Sequence, residues 1–348
     1  MGQLAWARFR RHQLAMTGGI VLAVMYILAI FAPFFALYPY EVSDRENFYH
    51  APTRIHFRAG GHLTWPYVYA TERDPATGTY REVQGRRYPI RLFVRSWSYT
   101  FLGLRSNLHL MGVDAPARLF LLGTDSLGRD QWSRLLYAGR ISLFIGIVAV
   151  LITTVIGMLY GGIAGYYGGV VDNIMMRVAE VVMSVPTFYL LLALAAMMPA
   201  GLPSGQRFIL IVAALSFVDW AGLSRVIRGQ LLSLRELEYV QGARAIGASD
   251  LQIIVRHMLP NTLTYVIVAA TLSIPGYILS ESGLSLLGLG VQEPDASWGN
   301  MLSQGMNLVV LAQYPWLLLP GLAIFIAVLC FNLLGDGLRD ALDPRTQL

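Results

Sequence analysis

The sequence predicts an all-α polytopic membrane protein. It has six transmembrane helices, both termini inside, a helical cytoplasmic loop and a large extracytoplasmic insert with β content. Three observations carry this reading. Of the 348 residues 55% are apolar and 14% charged, and the mean hydropathy is +0.52, which lies outside the soluble norm of about 25% charged residues. Six apolar runs come close to or exceed the ~20 residues that span a bilayer as a helix. Arginine is spread unevenly over the loops between them.

The runs are 14–37, 141–166, 174–199, 208–226, 263–287 and 316–335. The third carries Arg177, Glu180 and Pro186, and the fifth Pro275 and Glu281; neighbouring helices satisfy such interruptions. Arg8, Arg10 and Arg11 precede the first run, Arg225, Arg228, Arg235, Arg244 and Arg256 separate the fourth from the fifth, and Arg339 and Arg345 follow the sixth. The opposite short loops hold only Arg207. Positive-inside reasoning therefore places both termini in the cytoplasm, and the arginines of the long insert are neutral because the rule weakens beyond about 60 residues. The first run outlasts the ~7–15 apolar residues of a signal peptide, so it reads as an uncleaved anchor. The expected organisation is a cytoplasmic N-terminus (1–13), a first helix (14–37), the insert (38–140), a transmembrane core (141–338) with a coupling loop at 233–261, and a cytoplasmic tail (339–348). Within the insert, 67–70 and 80–83 are β-like runs separated by Asp74, Pro75 and Gly78, which suits a hairpin, and 88–94 adds a candidate strand.

Composition also excludes chemistry. All 26 basic residues are arginine, so neither a phosphate-binding P-loop nor a lysine Schiff base can be built here. Any ATP that drives this protein is bound by another chain. The single cysteine, Cys330, permits no intrachain disulfide. No zinc-binding or nucleophile–base constellation lies in or near the runs, which argues against an enzyme.

Residues 238–261, EYVQGARAIGASDLQIIVRHMLPN, are too polar to span a membrane. Val240, Ala243 and Ala245, then Leu251, Ile254, Val255 and Met258, suit two short helices with one apolar face each. Gly247 is the break between them, Ser249 or Asp250 is the cap of the second, and Pro260 is its end. Small residues Gly242, Ala243, Ala245 and Ala248 allow close approach by a partner. On spacing alone, a loop that packs beneath its own bundle fits equally well.

At these residues the chain resembles the permease family of binding-protein-dependent ABC importers, whose loop reads E-A-A, three residues, G, nine residues, I-x-L-P. The register here is Gln241, Gly242, Ala243, then Gly247, then His257, Leu259 and Pro260; Gln241, Gly242 and His257 depart from the pattern, and Glu238 lies three residues before Gln241 on about the same helix face. The resemblance extends to the dipeptide/oligopeptide/nickel branch, nearest to oligopeptide permease C subunits. It runs through LGTDSLGRD (122–130), YAGRISLFIG (137–146), AGYYGGVVD (164–172), SRVIRGQ (224–230), LGLGVQEPDASWGNML (287–302) and FNLLGDGLRDALDP (331–344). It implies a heterodimer with a second homologous permease, two ATPase subunits that hold the ATP and Mg, an extracytoplasmic solute-binding protein, and no cofactor on this chain. It further implies ATPase docking through Glu238, Gln241, Gly242, Ala243, Gly247, Ala248, Ser249 and Asp250.

Intramembrane charges are functional candidates by default. Asp219 and Glu281 are the interior ones, either lining a translocation path or partnering other helices. Arg177 and Glu180, three apart, read as an intrahelical pair. Asp125, Arg129 and Asp130 precede the second run, as a helix cap or as a face toward the binding protein. Gln292, Glu293 and Trp298 lie in the opposite loop, as an outer gate or as helix-end anchors. His50, His56 and His62, evenly spaced in a loop, define no coordination geometry and read as ordinary surface histidines. The implied cargo is an oligopeptide or dipeptide, with nickel or another small solute as the alternative. A self-sufficient channel or secondary transporter is the competing class; it more often shows paired half-helices or a chain of intramembrane carboxylates and histidines, whereas the charges here are scattered.

Overall fold

Long apolar runs leave the backbone no hydrogen-bond partner in lipid except itself, so they close into helices. The computed structural model describes residues 2–199 and 201–343. Residues 344–348 of the expected tail, Arg345 among them, lie outside the described residues. After α1 (Gly2–Phe9), the first span is α2 (Gln13–Ile30), and the single turn α3 (Ala32–Phe35) follows. The span ends short of residue 37 because Pro33 offers no amide hydrogen to continue the ladder.

The insert contains β1 (His56–Ala59), β2 (His62–Arg73), β3 (Tyr80–Pro89), β4 (Arg91–Phe101) and β5 (Leu104–Gly112). The first three strands form an antiparallel sheet, and β4 pairs with β5 in a separate ribbon. The runs 67–70 and 80–83 fall in β2 and β3, which join across residues 74–79 through the pair Arg73↔Tyr80. The run 88–94 is not one strand. Tyr88 and Pro89 finish β3, Ile90 turns its amide to Pro66 O at 2.9 Å, and Arg91 opens β4 in the other sheet.

The second span, α4 (Gln131–Tyr167), starts ten residues before position 141. Asp130 explains the early start: its Oδ2 accepts from the Ser133 amide at 2.9 Å and the Ser133 hydroxyl at 2.6 Å, capping the helix. The expected third span is two helices, α5 (Gly169–Met183) and α6 (Thr187–Met197), bent by 67° where Pro186 interrupts the ladder. α7 (Ser204–Leu234) is longer than expected at both ends. Next come α8 (Glu238–Ala245) and α9 (Asp250–Gln252), and the latter runs through a π turn (Ile253–Met258) and a 3-10 turn (Leu259–Thr262) into α10 (Leu263–Leu286). Pro260 therefore does not end a helix, because it sits in the first turn of the 3-10 segment, where no amide is needed. α11 (Trp298–Ser303), α12 (Leu308–Gln313) and α13 (Leu319–Leu342) complete the chain. Among the described residues five helices are long and apolar enough to cross a membrane, or six if the bent pair counts as one span.

Contacts group the chain into two units, one of Met1–Ala23, Leu143–Leu284 and Ile324–Leu348, the other of Val24–Ser142 and Ser285–Ala323. The insert is thus not a unit by itself. The second unit has its own core, in which Val68, Tyr88 and Ile90 pack with Leu37, Ala117 and Leu119.

The first unit is organised by a helix pair. Gly157, Gly161 and Gly165 repeat at every fourth position of α4 and face Trp220, Ser224 and Arg228, the same spacing on α7. A Cβ at Gly161 would stand 2.3 Å from Ser224 O, one at Gly165 2.7 Å from Arg228 O, and one at Gly157 3.0 Å from Trp220 O. Small residues let two backbones approach in lipid, where packing rather than water drives association. Gly161→Val should therefore destabilise the folded protein by at least the ~1–3 kcal/mol of ordinary overpacking, because the obstacle is backbone. Gly229→Ala, on open α7 surface with nothing within 4 Å of its Cβ, should leave stability within about 1 kcal/mol. Thermal unfolding of the two variants in one detergent checks both expectations.

Candidate functional site

The 238–261 segment forms a knob with a buried base and an exposed top. Val240 and Ala243 of α8 pack with Ile253, Ile254, Met258 and Leu259, and the same cluster takes in Tyr166 of α4, Ile227 and Leu231 of α7, and Val266 of α10. Each such buried aliphatic chain stabilises by about 1.5–3 kcal/mol. The base is therefore fastened to three spans. The π turn alters the expected face of the second helix: Ile253, Ile254 and Met258 are buried, while Leu251 and Val255 are exposed. One extra residue in the turn moves every later side chain around the axis. Ala245 is likewise exposed, two positions beyond Ala243.

Gly247 makes the sharp corner. Its φ is +82°, its amide donates to Arg244 O at 3.1 Å, and the Ala248 amide donates to Ala243 O at 3.1 Å. This is the paired hydrogen-bond closure that a left-handed residue permits at a helix end. Open space surrounds its Cβ position, so conformation, not crowding, demands glycine here. Ser249 occupies the cap position of α9 without a side-chain hydrogen bond. Asp250 instead accepts from the Tyr166 and Tyr167 hydroxyls at 2.7 and 2.9 Å. Those tyrosines were not singled out by sequence reasoning, although they stand in the AGYYGGVVD stretch. Gln241 donates to Arg235 O at 2.9 Å, while Glu238 and Gly242 face outward. Ile246, just before the corner, is 86% exposed, and Leu251 and Tyr239 are also open.

A cavity of about 400 Å³ and mixed polarity lies among the spans of the same unit, lined by Thr153 and Thr154 of α4, Val218 and Asp219 of α7, and Tyr265, Ser273 and Tyr277 of α10, with other residues. Tyr277 interacts with Asp219, and its hydroxyl also donates to Thr153 Oγ1 at 3.2 Å. Glu281 is fully buried and is not among the lining residues. Of the two carboxylates only Asp219, exposed in this chain, lines the cavity. Arg177 and Glu180 pair on α5 at 2.9 Å, and Arg228 of α7 holds Asp172 of α5 through Nε at 2.8 Å and a second, shorter contact.

In the second unit Asp125, Arg129 and Asp130 are all buried, and Arg134, absent from the sequence-based set, joins them. Asp125 Oδ1 accepts from the amides of Leu127 and Arg129 at 2.8 and 2.9 Å, and its Oδ2 takes Arg129 Nε at 2.7 Å. Arg129 also grips both oxygens of Glu293, and Arg134 Nη2 reaches Glu293 Oε1 at 3.0 Å. Burial disfavours the Arg129 charge, but Glu293 and Asp125 outweigh it and its pKa rises. Asp130 lacks such a cation: burial lifts its carboxyl to about 7, against the hydrogen bonds from Ser133, and the nearby Asp125 charge adds to the rise. Its Oδ1 is buried with no hydrogen-bond partner. Gln292 donates to Gly288 O at 2.6 Å. Trp298 is not an interfacial ring but a buried one, with its indole donating to Leu135 O and its amide to Ser142 Oγ, both at 3.1 Å. His50 bonds Thr71 Oγ1 at 2.9 Å, whereas His56 meets Glu82 at 3.0 Å. The two rings are engaged separately, and no cluster of three metal-binding side chains occurs among the described residues.

Residues 157–348 match the family model described as binding-protein-dependent transport system inner membrane component, and residues 1–52 match the N-terminal TM domain of oligopeptide transport permease C. The dipeptide transport system permease protein DppC of Bacillus subtilis is 44% identical over 230 residues, 66% of this chain and 70% of that one. The oligopeptide transport system permease protein OppC of Haemophilus influenzae is 42% identical, over 74% of this chain and 80% of that one. The OppC protein of Bacillus subtilis is 33% identical, over 98% of this chain and 88% of that one. Among solved structures, the inward-facing MetNI methionine ABC transporter has 18% identity and a TM-score of 0.45, over 60% of this chain and 96% of that one. With more than half its length matched by the family model and its apolar helices accounted for, the chain belongs to the binding-protein-dependent transport system inner membrane components, as a multi-pass permease subunit of an ABC importer.

Proposed function

We propose that this permease carries oligopeptides or dipeptides, paired with a second homologous permease and driven by two cytoplasmic ATPase subunits that bind the ATP and Mg. In this reading the termini and the α8 knob face the cytoplasm, as the arginines at 8, 10 and 11 before the first span and at 235 and 244 between α7 and α10 favour. The β-rich insert lies outside, toward the solute-binding protein. The observation that carries the proposal is the knob: an exposed apolar top at Ile246 and Leu251, on a base packed against α4, α7 and α10. ATP-driven closure of the ATPases moves the top, and the packed base passes that motion to the spans. The chain is then a coupling and conducting element, with two sites linked by one conformational equilibrium.

Asp219 supports the choice of peptide. It offers a carboxylate to the cavity beside hydroxyls from Thr153, Tyr277 and Ser273, chemistry suited to an α-ammonium group. The buried cluster of the second unit acts as the outer latch, in which Arg129 and Arg134 hold the loop through Glu293.

Three experiments test this reading. Gly247→Val forces a β-branched residue into the left-handed region at a cost of about 1–3 kcal/mol. ATP-dependent peptide uptake by the reconstituted importer should fall on the order of tenfold, the equivalent of about 1.4 kcal/mol, with membrane insertion unchanged; normal uptake would remove the docking assignment. Asp219→Asn should raise the KM for peptides with a free amino terminus and leave that for N-acetylated peptides unaltered, as read in competition uptake assays. The third concerns Asp130, whose pKa is raised on folding from 3.8 to about 7. Its protonated form favours the folded state, so its contribution is full below pH ~4 and fades as the pH rises through ~7. Unfolding temperature should thus decline from pH 5 to pH 8 in the parent protein and less so in Asp130→Asn, which should be the more stable of the two at pH 8.

A further inference from the structure

The β4–β5 ribbon turns through Leu102 and Gly103, with φ of +49° and +83°. Two left-handed residues define the tight hairpin turn that normally selects Asn-Gly. Leucine at its first position is disfavoured by ~1 kcal/mol or more, and this leucine is 87% exposed, with Leu104 75% exposed beside it. Neither the turn nor any core explains such a residue here. Its neighbour Phe101 does point to an explanation. The Phe101 ring lies 5.2 Å from Phe31, and Phe93 of the same strand lies 6.4 Å from Phe34. Phe31 follows directly on α2, whose 18 residues extend about 27 Å, close to the ~30 Å hydrocarbon thickness. A helix of that length that spans the hydrocarbon layer has Phe31 near its edge. Val24, Ile27 and Phe31 form one exposed stripe at helical spacing, and α2 is the least covered of the candidate spans, 22% buried against 33–50% for the others. That stripe continues through Phe101 onto the ribbon turn.

We propose that the β4–β5 turn is a lipid-interface anchor, in which Phe101, Leu102 and Leu104 dip into the bilayer beside the end of α2. Arg105, exposed and without an ion pair among the described residues, then meets the phosphate headgroups. The ring contact between Phe31 and Phe101 fixes the depth, and a guanidinium one residue from Leu104 finds its counter-charge at the surface. The occupant is lipid: the exposed apolar residues of the turn continue the exposed stripe of a helix long and apolar enough to cross the bilayer, and Arg105 edges them.

The test uses the full chain in phosphatidylcholine–phosphatidylglycerol nanodiscs, with Cys330→Ser removing the native thiol. An environment-sensitive fluorophore is attached through Leu102→Cys, and through Ala76→Cys in the β2–β3 turn as the aqueous control. The Leu102 label should emit at shorter wavelength and lose intensity when the lipid is brominated near its headgroup end, while aqueous iodide quenches only the Ala76 label. Leu104→Cys gives the same reading should a label at Leu102 disturb the turn. Iodide quenching of the Leu102 and Leu104 labels equal to that at Ala76 would overturn the proposal. Protection from both quenchers would overturn it too, since a protein surface would then cover the turn.

Discussion

Ser224 O would lie 2.3 Å from a Cβ at Gly161, and the contact behind that distance sets the geometry of the whole first unit. With Gly157 and Gly165 it brings the backbones of α4 and α7 together along two helical turns. Toward one end, Thr153 and Thr154 of α4 and Asp219 and Gly222 of α7 line the cavity. Toward the other, Tyr166 of α4 and Ile227 and Leu231 of α7 enter the core of the knob. A helix pair joined backbone to backbone has little freedom to deform locally. The cavity and the knob thus lie toward opposite ends of one closely packed helix pair.

Arginine stays ionised at any working pH, so inside the protein its planar fork must be met by oxygen acceptors. Buried Arg129 and Arg134 share Asp125 and Glu293, half-buried Arg228 meets Asp172, and buried Arg207 donates to Pro199 O. Asp130 differs: with no cation against it, burial raises its pKa to about 7 and its role is that of a helix cap.

Much of this was legible in the sequence because hydropathy reports the cost of lipid directly. The apolar runs located the spanning helices, and Gly247 marked the corner of the knob. Boundaries fared less well. Asp130 and Ser133 begin α4 in a polar stretch that hydropathy ignores, and Pro186 bends by 67° what composition reads as one span. The face of α9 was misassigned because a π turn adds a residue, and no single side chain announces it. Arg134 escaped notice for a related reason: its partner Glu293 is 159 positions away, beyond any local pattern. The glycines at 157, 161 and 165 did carry a readable four-residue repeat. Tyr166 and Tyr167 carried none, since only the folded loop brings Asp250 to their hydroxyls.

The knob's two faces follow from different physics, and the difference defines how it can work. Its base is held by burial that involves three helices, so displacing it costs the contacts of all three at once. Its top, at Ile246 and Leu251, makes no such contacts, and leaving isoleucine 86% exposed gains nothing for this chain alone. Asp250 ties the second half of the knob to Tyr166 and Tyr167 by two hydrogen bonds, while the Gly247 corner fixes the angle between the halves. The base of the knob sits where α4, α7 and α10 meet, and those helices, with Met183 of α5 and Thr187 of α6, also line the cavity that holds Asp219.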